Sequence, residues 1–144
     1  MASTHIAHDC LVGDNVILSN LATLGGHVQI GKWAILGGGV LVHQFTRIGG
    51  HALIGGGFRA VQDVPPFIIA ANHPLKYKGV NIVGLKRRGF SKKDMDLIKK
   101  AYKVFFRSGG NRKKAIKKIE TEFPKTKVIQ QILDFIKHSS RGII

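Results

Sequence analysis

The sequence predicts a parallel β-helix followed by a small α-helical domain, and three observations carry that prediction. A branched aliphatic residue recurs every six positions through the first part of the chain. The formal charge of +15 falls entirely on the second part. Helix-capping residues and helical apolar spacing begin only after residue 90.

The repeat comes first. Ile6, Val12, Leu18, Leu24, Ile30, Leu36, Val42, Ile48 and Ile54 stand six apart, and Ala60 continues the series with a small side chain. The following residue is often glycine, as at Gly13, Gly25, Gly31, Gly37, Gly49 and Gly55. The fifth position of each hexad is small or β-branched, as at Val16, Ala22, Val28, Ala34, Val40, Thr46 and Ala52. An α-helix has 3.6 residues per turn and would scatter such a stripe around its circumference. Short strands with a corner every six residues keep it on one side, which is the pattern of a β-helix. Three hexads close one triangular coil, so the run makes about three coils.

The charge split places the next border. Residues 1–64 balance Lys32, Arg47 and Arg59 against Asp9, Asp14 and Asp63, whereas all the excess of Lys and Arg lies beyond Val64-Pro65-Pro66. The expected organisation is a β-helix over 1–66 carrying the chemistry, a connecting segment over 67–90, and a basic helical domain over 91–144. An open solenoid end exposes unpaired strand edges. Pro65-Pro66 and the basic domain can cover the far end, and the sequence shows no cap before His5.

In the basic domain, Ser91 with Asp94 reads as a capping box opening a helix with Leu97, Ile98, Ala101, Val104 and Phe105 on its apolar face. Ser108-Gly109-Gly110-Asn111 breaks it, and Asn111 caps a second helix through Ile116 and Ile119. Beyond Pro124 a third helix carries Val128, Ile132, Phe135 and Ile136.

Composition excludes several classes. The single cysteine, Cys10, rules out a disulfide framework or a cysteine-rich zinc site within one chain. No apolar run approaches the roughly 20 residues of a membrane span, so no integral membrane contact is expected. Hydrophobic residues at 44% exceed what a disordered basic tail carries. No nucleic-acid motif and no aromatic interleaving accompany the lysines, which leaves two readings of the charge, a solvated cationic face on a small helical bundle or a docking face for an acidic partner.

The eighteen-residue coil then maps the histidines. His8, Gly26 and Gln44 share one column, Asp9, His27 and Phe45 share the next, and His43 stands just before Gln44. Adjacent coils lie about 4.8 Å apart, so His8, His27, His43 and Gln44 should cluster beside Asp9. His51 and His138 read as surface residues. An imidazole titrates near pH 6.5 and can take and return a proton at neutral pH. A carboxylate can orient it, and a backbone N–H at Gly26 can stabilise an oxyanion. This set supports general-base acyl transfer and leaves the acceptor open.

The hexads resemble those of the hexapeptide acyltransferases, and the resemblance implies a left-handed coil. More specific are His5-Ile6-Ala7-His8-Asp9-Cys10, Gly26-His27-Val28, Val42-His43-Gln44-Phe45, Gln62-Asp63-Val64-Pro65-Pro66 and the run from Val80 to Phe90. In that order they resemble the acyl-carrier-protein–UDP-N-acetylglucosamine O-acyltransferases, which open lipid A synthesis. The resemblance implies a cytoplasmic homotrimer that moves a 3-hydroxyacyl group from acyl carrier protein to the sugar 3-hydroxyl.

By the same resemblance His8 is the general base, Asp9 orients it, and the Gly26 N–H faces the thioester oxyanion. His5, His27, His43 and Gln44 contact substrate. Asn81, Arg87 and Arg88 hold the nucleotide and its phosphates, often across a subunit boundary, and Gly56 and His73 gauge acyl length. The basic helices dock the carrier.

No cofactor is implied. Three histidines also form a metal-ligand set, but the related zinc-binding γ-class carbonic anhydrases use two histidines five residues apart, a spacing absent here, so no metal is expected. Two departures stand out. Val83 replaces an acidic residue of some members. The family also carries a long run of hexads before the His5–Cys10 motif, so the sequence reads as its C-terminal part. The alternative is therefore a catalytically inert β-helical fragment that trimerises.

Overall fold

The computed structural model describes residues 1–144. Ten two-residue strands occupy the hexads: β1 His5–Ile6, β2 Leu11–Val12, β3 Ile17–Leu18, β4 Thr23–Leu24, β5 Gln29–Ile30, β6 Ile35–Leu36, β7 Leu41–Val42, β8 Arg47–Ile48, β9 Leu53–Ile54 and β10 Arg59–Ala60. Each pairs in parallel with the strand one coil away, so Ile6 lies beside Leu24 and Leu24 beside Val42. Three flat faces result: β1-β4-β7-β10, β2-β5-β8, and β3-β6-β9, the last extended by β11 (Ile68–Ala71) and the antiparallel β12 (Lys76–Val80). The solenoid is a left-handed parallel β-helix.

The hexad explains its interior. The second residue of each strand points inward, and from Leu18 to Ala60 all eight are buried. The fifth hexad position fills the angles between faces, where Ala22, Val28, Ala34, Val40, Thr46 and Ala52 have no exposed surface. Each corner turns through one residue of positive φ, at Ser3, Asp9, Asn15, Leu21, His27, Trp33, Gly39, Phe45, His51 and Gly57. That conformation costs an L-residue about 1–2 kcal/mol, and the two coil neighbours hold it in place. Corners also pack backbone on backbone: a Cβ at Gly49 would stand 2.3 Å from the Pro66 nitrogen.

The stack makes about four turns, one more than the hexads indicated. After β10, Val64 bridges to Ile48, and β11 pairs in parallel with β9 through Ile69 and Ala70. The expected border at residue 66 falls inside this last turn. The far end is closed there. Phe67 and Ile68 are buried, and the buried Tyr102 hydroxyl donates to the Pro66 carbonyl at 2.6 Å. Burial pushes that phenol well above its usual range, so it stays a donor. The buried Asp63 carboxylate accepts from the Arg47 N–H at 2.8 Å and from the Ser139 hydroxyl, tying the C-terminal tail to the coil.

The near end differs. Ile6 and Val12 occupy inward positions yet are 50% and 40% exposed, because no coil lies over them.

Four helices complete the chain: α1 Ile82–Arg87, α2 Lys92–Phe106, α3 Arg112–Glu122 and α4 Lys127–Lys137. Ser91 and Asn111 cap α2 and α3 as expected, accepting from the Asp94 and Lys114 N–H groups at 3.1 Å. Thr126 caps α4. Met95, Ile98, Ala101, Tyr102 and Phe105 of α2 and Ile129, Ile132, Leu133 and Ile136 of α4 are buried. The short α1 was not anticipated; Asn81 caps it through the Gly84 N–H at 3.4 Å. No helix is long and apolar enough to cross a membrane.

Candidate functional site

The corner that follows β1, β4 and β7 stacks His8-Asp9, Gly26-His27 and Gln44-Phe45, the columns expected from the sequence. Two backbone bonds fix the spacing: the His27 N–H donates to the His8 carbonyl and the Phe45 N–H to the Gly26 carbonyl, both at 3.0 Å.

His8 Nδ1 lies 3.0 Å from Asp9 Oδ2. A carboxylate accepts and does not donate, so Nδ1 carries the proton and Nε2 keeps its lone pair. Nε2 faces the glycine of the next coil: a Cβ built on Gly26 would stand 2.8 Å from it and 2.7 Å from Cε1. Glycine at 26 is therefore what gives the imidazole its place. The Gly26 N–H donates to no backbone acceptor of the chain.

Asp9 also serves the second coil, with His27 Nε2 3.7 Å from the same oxygen. The two imidazoles meet edge to face at 5.1 Å, and His27 in turn stacks on Phe45 at 4.7 Å and 6°. Phe45 is 53% exposed in a left-handed backbone, and the column that contains His27 already pointed to it. His8 and Asp9 are open to solvent, with side chains 72% and 67% accessible. The corner thus presents an oriented base, a free backbone donor and an apolar rim. The donor atoms of His8, Asp9 and His27 lie within 4.8 Å of one another, so the cluster is also compact enough to grip a cation.

The other expected residues divide. His5 sits on the outer surface of the same face beside Thr23. His43 Nδ1 turns to the Gln44 carbonyl at 3.1 Å, so neither histidine joins the Asp9 cluster, although His43, Gln44 and His5 are all exposed.

Asn81, Arg87 and Arg88 gather at a different corner, the one after β2, β5 and β8. They line a groove with Lys32, Trp33, His51 and the exposed Val83, and no carboxylate lines it. The Asn81 side chain is buried; besides capping α1, it donates to the His51 carbonyl at 3.0 Å. Arg87 is exposed. The Arg88 guanidinium lies over the Trp33 ring at 5.3 Å and reaches His51 Nδ1 at 3.2 Å. His51, expected at the surface, is only 6% exposed, because Phe67 and Phe90 close over the corner at 5.7 and 4.9 Å. Burial first, then the Arg88 and Lys32 charges, lowers its pKa from 6.5 to about 4. Its hexad position gave no sign of this, because the covering rings come from outside the repeat.

Gly56 and His73 belong to the third corner. Gly56 is exposed, and a Cβ there would lie 3.2 Å from the Gly38 carbonyl oxygen. His73 is exposed and meets Phe58 edge to face at 4.9 Å. One chain therefore places its candidate base, its arginine-lined groove and its glycine gap at three separate corners.

Residues 63–144 match the family described as UDP N-acetylglucosamine O-acyltransferase, domain 2. The chain is 52% identical over 143 residues to the acyl-[acyl-carrier-protein]–UDP-N-acetylglucosamine O-acyltransferase of Thermodesulfovibrio yellowstonii, covering 99% of this chain and 55% of that protein. The protein of the same name from Aliivibrio salmonicida is 48% identical over 142 residues, covering 99% and 54%. Among solved structures, the UDP-N-acetylglucosamine acyltransferase of Bacteroides fragilis superposes with a TM-score of 0.96 at 44% identity, covering 99% of this chain and 56% of that one. The chain spans about half the length of the curated relatives it matches.

Proposed function

The chain belongs to the UDP-N-acetylglucosamine O-acyltransferase family, and on that premise we propose that it transfers a 3-hydroxyacyl group from acyl carrier protein to the 3-hydroxyl of UDP-N-acetylglucosamine. The observation that carries this reading is the oriented His8, with Asp9 on Nδ1 and the Gly26 cradle at Nε2.

In this reaction His8 Nε2 takes the proton of the sugar 3-hydroxyl as its oxygen attacks the thioester carbonyl carbon. The carbonyl π electrons move to oxygen, and the Gly26 N–H donates to that oxyanion. Collapse expels the carrier's thiolate, which takes the proton back from the His8 imidazolium. Asp9 holds the tautomer and stabilises the imidazolium between these steps. His5, His27, His43 and Gln44 line the approach of sugar and acyl chain, and Gly56 with His73 bounds the chain's far end.

The groove of Asn81, Arg87 and Arg88 supplies the nucleotide end, because guanidinium forks suit phosphate oxygens. Since the base, this groove and the Gly56 gap occupy different corners, a complete site combines the base corner of one chain of a homotrimer with the groove and the gap of its neighbour. Leu11, Leu41, Phe45 and Leu21, all large and exposed, supply apolar surface for such contacts. The lysine-rich helices steer the acidic carrier. The setting is lipid A synthesis in the cytoplasm.

The exposed inward residues Ile6 and Val12 favour a second reading, in which these coils trimerise without turnover. An assay of the purified 144-residue chain with 3-hydroxyacyl carrier protein and UDP-N-acetylglucosamine separates the two. The first reading predicts transfer that disappears in His8→Ala with the melting temperature unchanged. Absence of transfer by the wild type supports the second.

A further inference from the structure

We propose that His51 is a positioning residue for anion binding: its Nδ1 accepts a hydrogen bond from Arg88 and so fixes the guanidinium that receives the substrate's phosphates. The inference rests on the phosphate-binding reading of Arg88 given above and extends it to a residue that touches no substrate.

The geometry holds Arg88 on two sides. One Nη1 contact runs to His51 Nδ1 at 3.2 Å, and the guanidinium lies 5.3 Å from the centre of the Trp33 ring. An arginine always donates, so the bond requires an unprotonated nitrogen opposite it. Burial beneath Phe67 and Phe90 keeps the imidazole neutral at physiological pH. The main chain of His51 is held as well. Its backbone carbonyl accepts from the buried Asn81 side chain at 3.0 Å, and its N–H donates to the Lys32 carbonyl at 2.9 Å. One consequence concerns Asn81. Its side chain joins the α1 cap to His51, so it acts on the groove through the same residue.

The groove shows why orientation matters. Lys32, Arg87 and Arg88 converge there without a lining carboxylate. With no acidic partner to hold it, a long guanidinium would sample many rotamers, and ordering it on binding costs affinity. His51 and Trp33 order it beforehand without neutralising it. A carboxylate in place of His51 would order it too, and would cancel the charge the phosphates need.

Two variants separate this role from simple packing. His51→Phe keeps an aromatic ring between Phe67 and Phe90 but removes the acceptor. His51→Asn loses the ring, restores an oxygen near the place of Nδ1, and accepts the left-handed backbone readily (φ 60°). The measurements are UDP affinity by calorimetry and the side-chain nitrogen NMR signals of Arg88, on the full chain, with a melting curve for each variant.

The expected result is that UDP affinity falls about tenfold in His51→Phe, the loss of roughly one charge-assisted hydrogen bond. The Arg88 Nη protons, resolved in the wild type, then average through free rotation, and His51→Asn recovers both readouts. In an Arg88→Ala background His51→Phe should have no further effect on UDP. Wild-type affinity and ordered Arg88 signals in His51→Phe would overturn the inference, as would loss of affinity in His51→Asn with the fold intact. A wild type that binds no UDP overturns the phosphate reading of the groove and with it the role assigned to His51. Ordered Arg88 signals would then show the bond as purely structural.

Discussion

His27 and His51 occupy the same hexad position, at corners of nearly identical backbone, with φ of 59° and 60°. Their chemistry is opposite. His27 has a side chain 43% accessible, shares the Asp9 carboxylate with His8, and faces the solvent side of its corner. His51 is 6% exposed, touches an arginine instead of a carboxylate, and is driven neutral. The repeat fixes where a corner residue stands; what packs over the corner fixes what it can do. At the first corner nothing from outside the repeat intrudes, so the imidazoles stay open to solvent. At the second, Phe67 and Phe90 turn the same position into a support.

The comparison breaks first at His8. His8→Ala should lower kcat by about 10²- to 10⁴-fold, the usual contribution of a positioned acid–base group, and steady-state rates read it. An unchanged rate would move the chemistry away from this corner. Gly26→Ala follows, because the new Cβ would overlap the imidazole at 2.7 Å and displace it. A displacement of about 1 Å costs on the order of 10²-fold in kcat, while UDP affinity, set at the other corner, should hold.

Arg88→Ala gives the complementary pattern. UDP affinity should weaken by about ten- to a hundredfold, with the Asp9–His8 pair undisturbed in NMR spectra of the imidazoles.

Stability against pH provides the mildest contrast. The folded pKa of His51, about 4, lies below the 6.5 of an unfolded histidine. Between those values the unfolded chain binds more protons. Stability is therefore fully present above pH 6.5 and declines as pH falls toward 4, by at most about 3 kcal/mol. His51→Asn should remove that part of the slope in urea unfolding, whereas His27→Asn should leave it in place.

The two solenoid ends sharpen a related point. Ile54 and Ile6 obey one rule of sequence, yet the first is fully buried and the second half exposed. Inward direction was legible from the six-residue period, because strand length and corner spacing are local. Burial was not, because it requires a neighbouring coil. The columns of His8, Gly26 and Asp9 were legible for the same local reason, and so were the caps at Ser91 and Asn111. The last turn through Val64 and β11 was hidden, since Pro65-Pro66 interrupts the hexads while the backbone keeps stacking. Helix α1 was hidden as well: six residues are too few for periodicity, and its cap, Asn81, was read through its resemblance to a nucleotide contact. The burial of His51 depends on Phe67 and Phe90, which lie 16 and 39 positions further along the chain.

The central claim is that the base corner of one chain and the anion corner of another make one site. Mixing tests it directly. His8→Ala chains, defective in the chemical step, and Arg88→Ala chains, defective in nucleotide binding, are unfolded together and refolded at equal concentrations. Acyl transfer is assayed at UDP-N-acetylglucosamine well below saturation, where each alone is slow. Random assembly of a trimer leaves about a quarter of the interfaces with both groups intact, and the account predicts that share of wild-type turnover. A mixture no more active than its two components would contradict it.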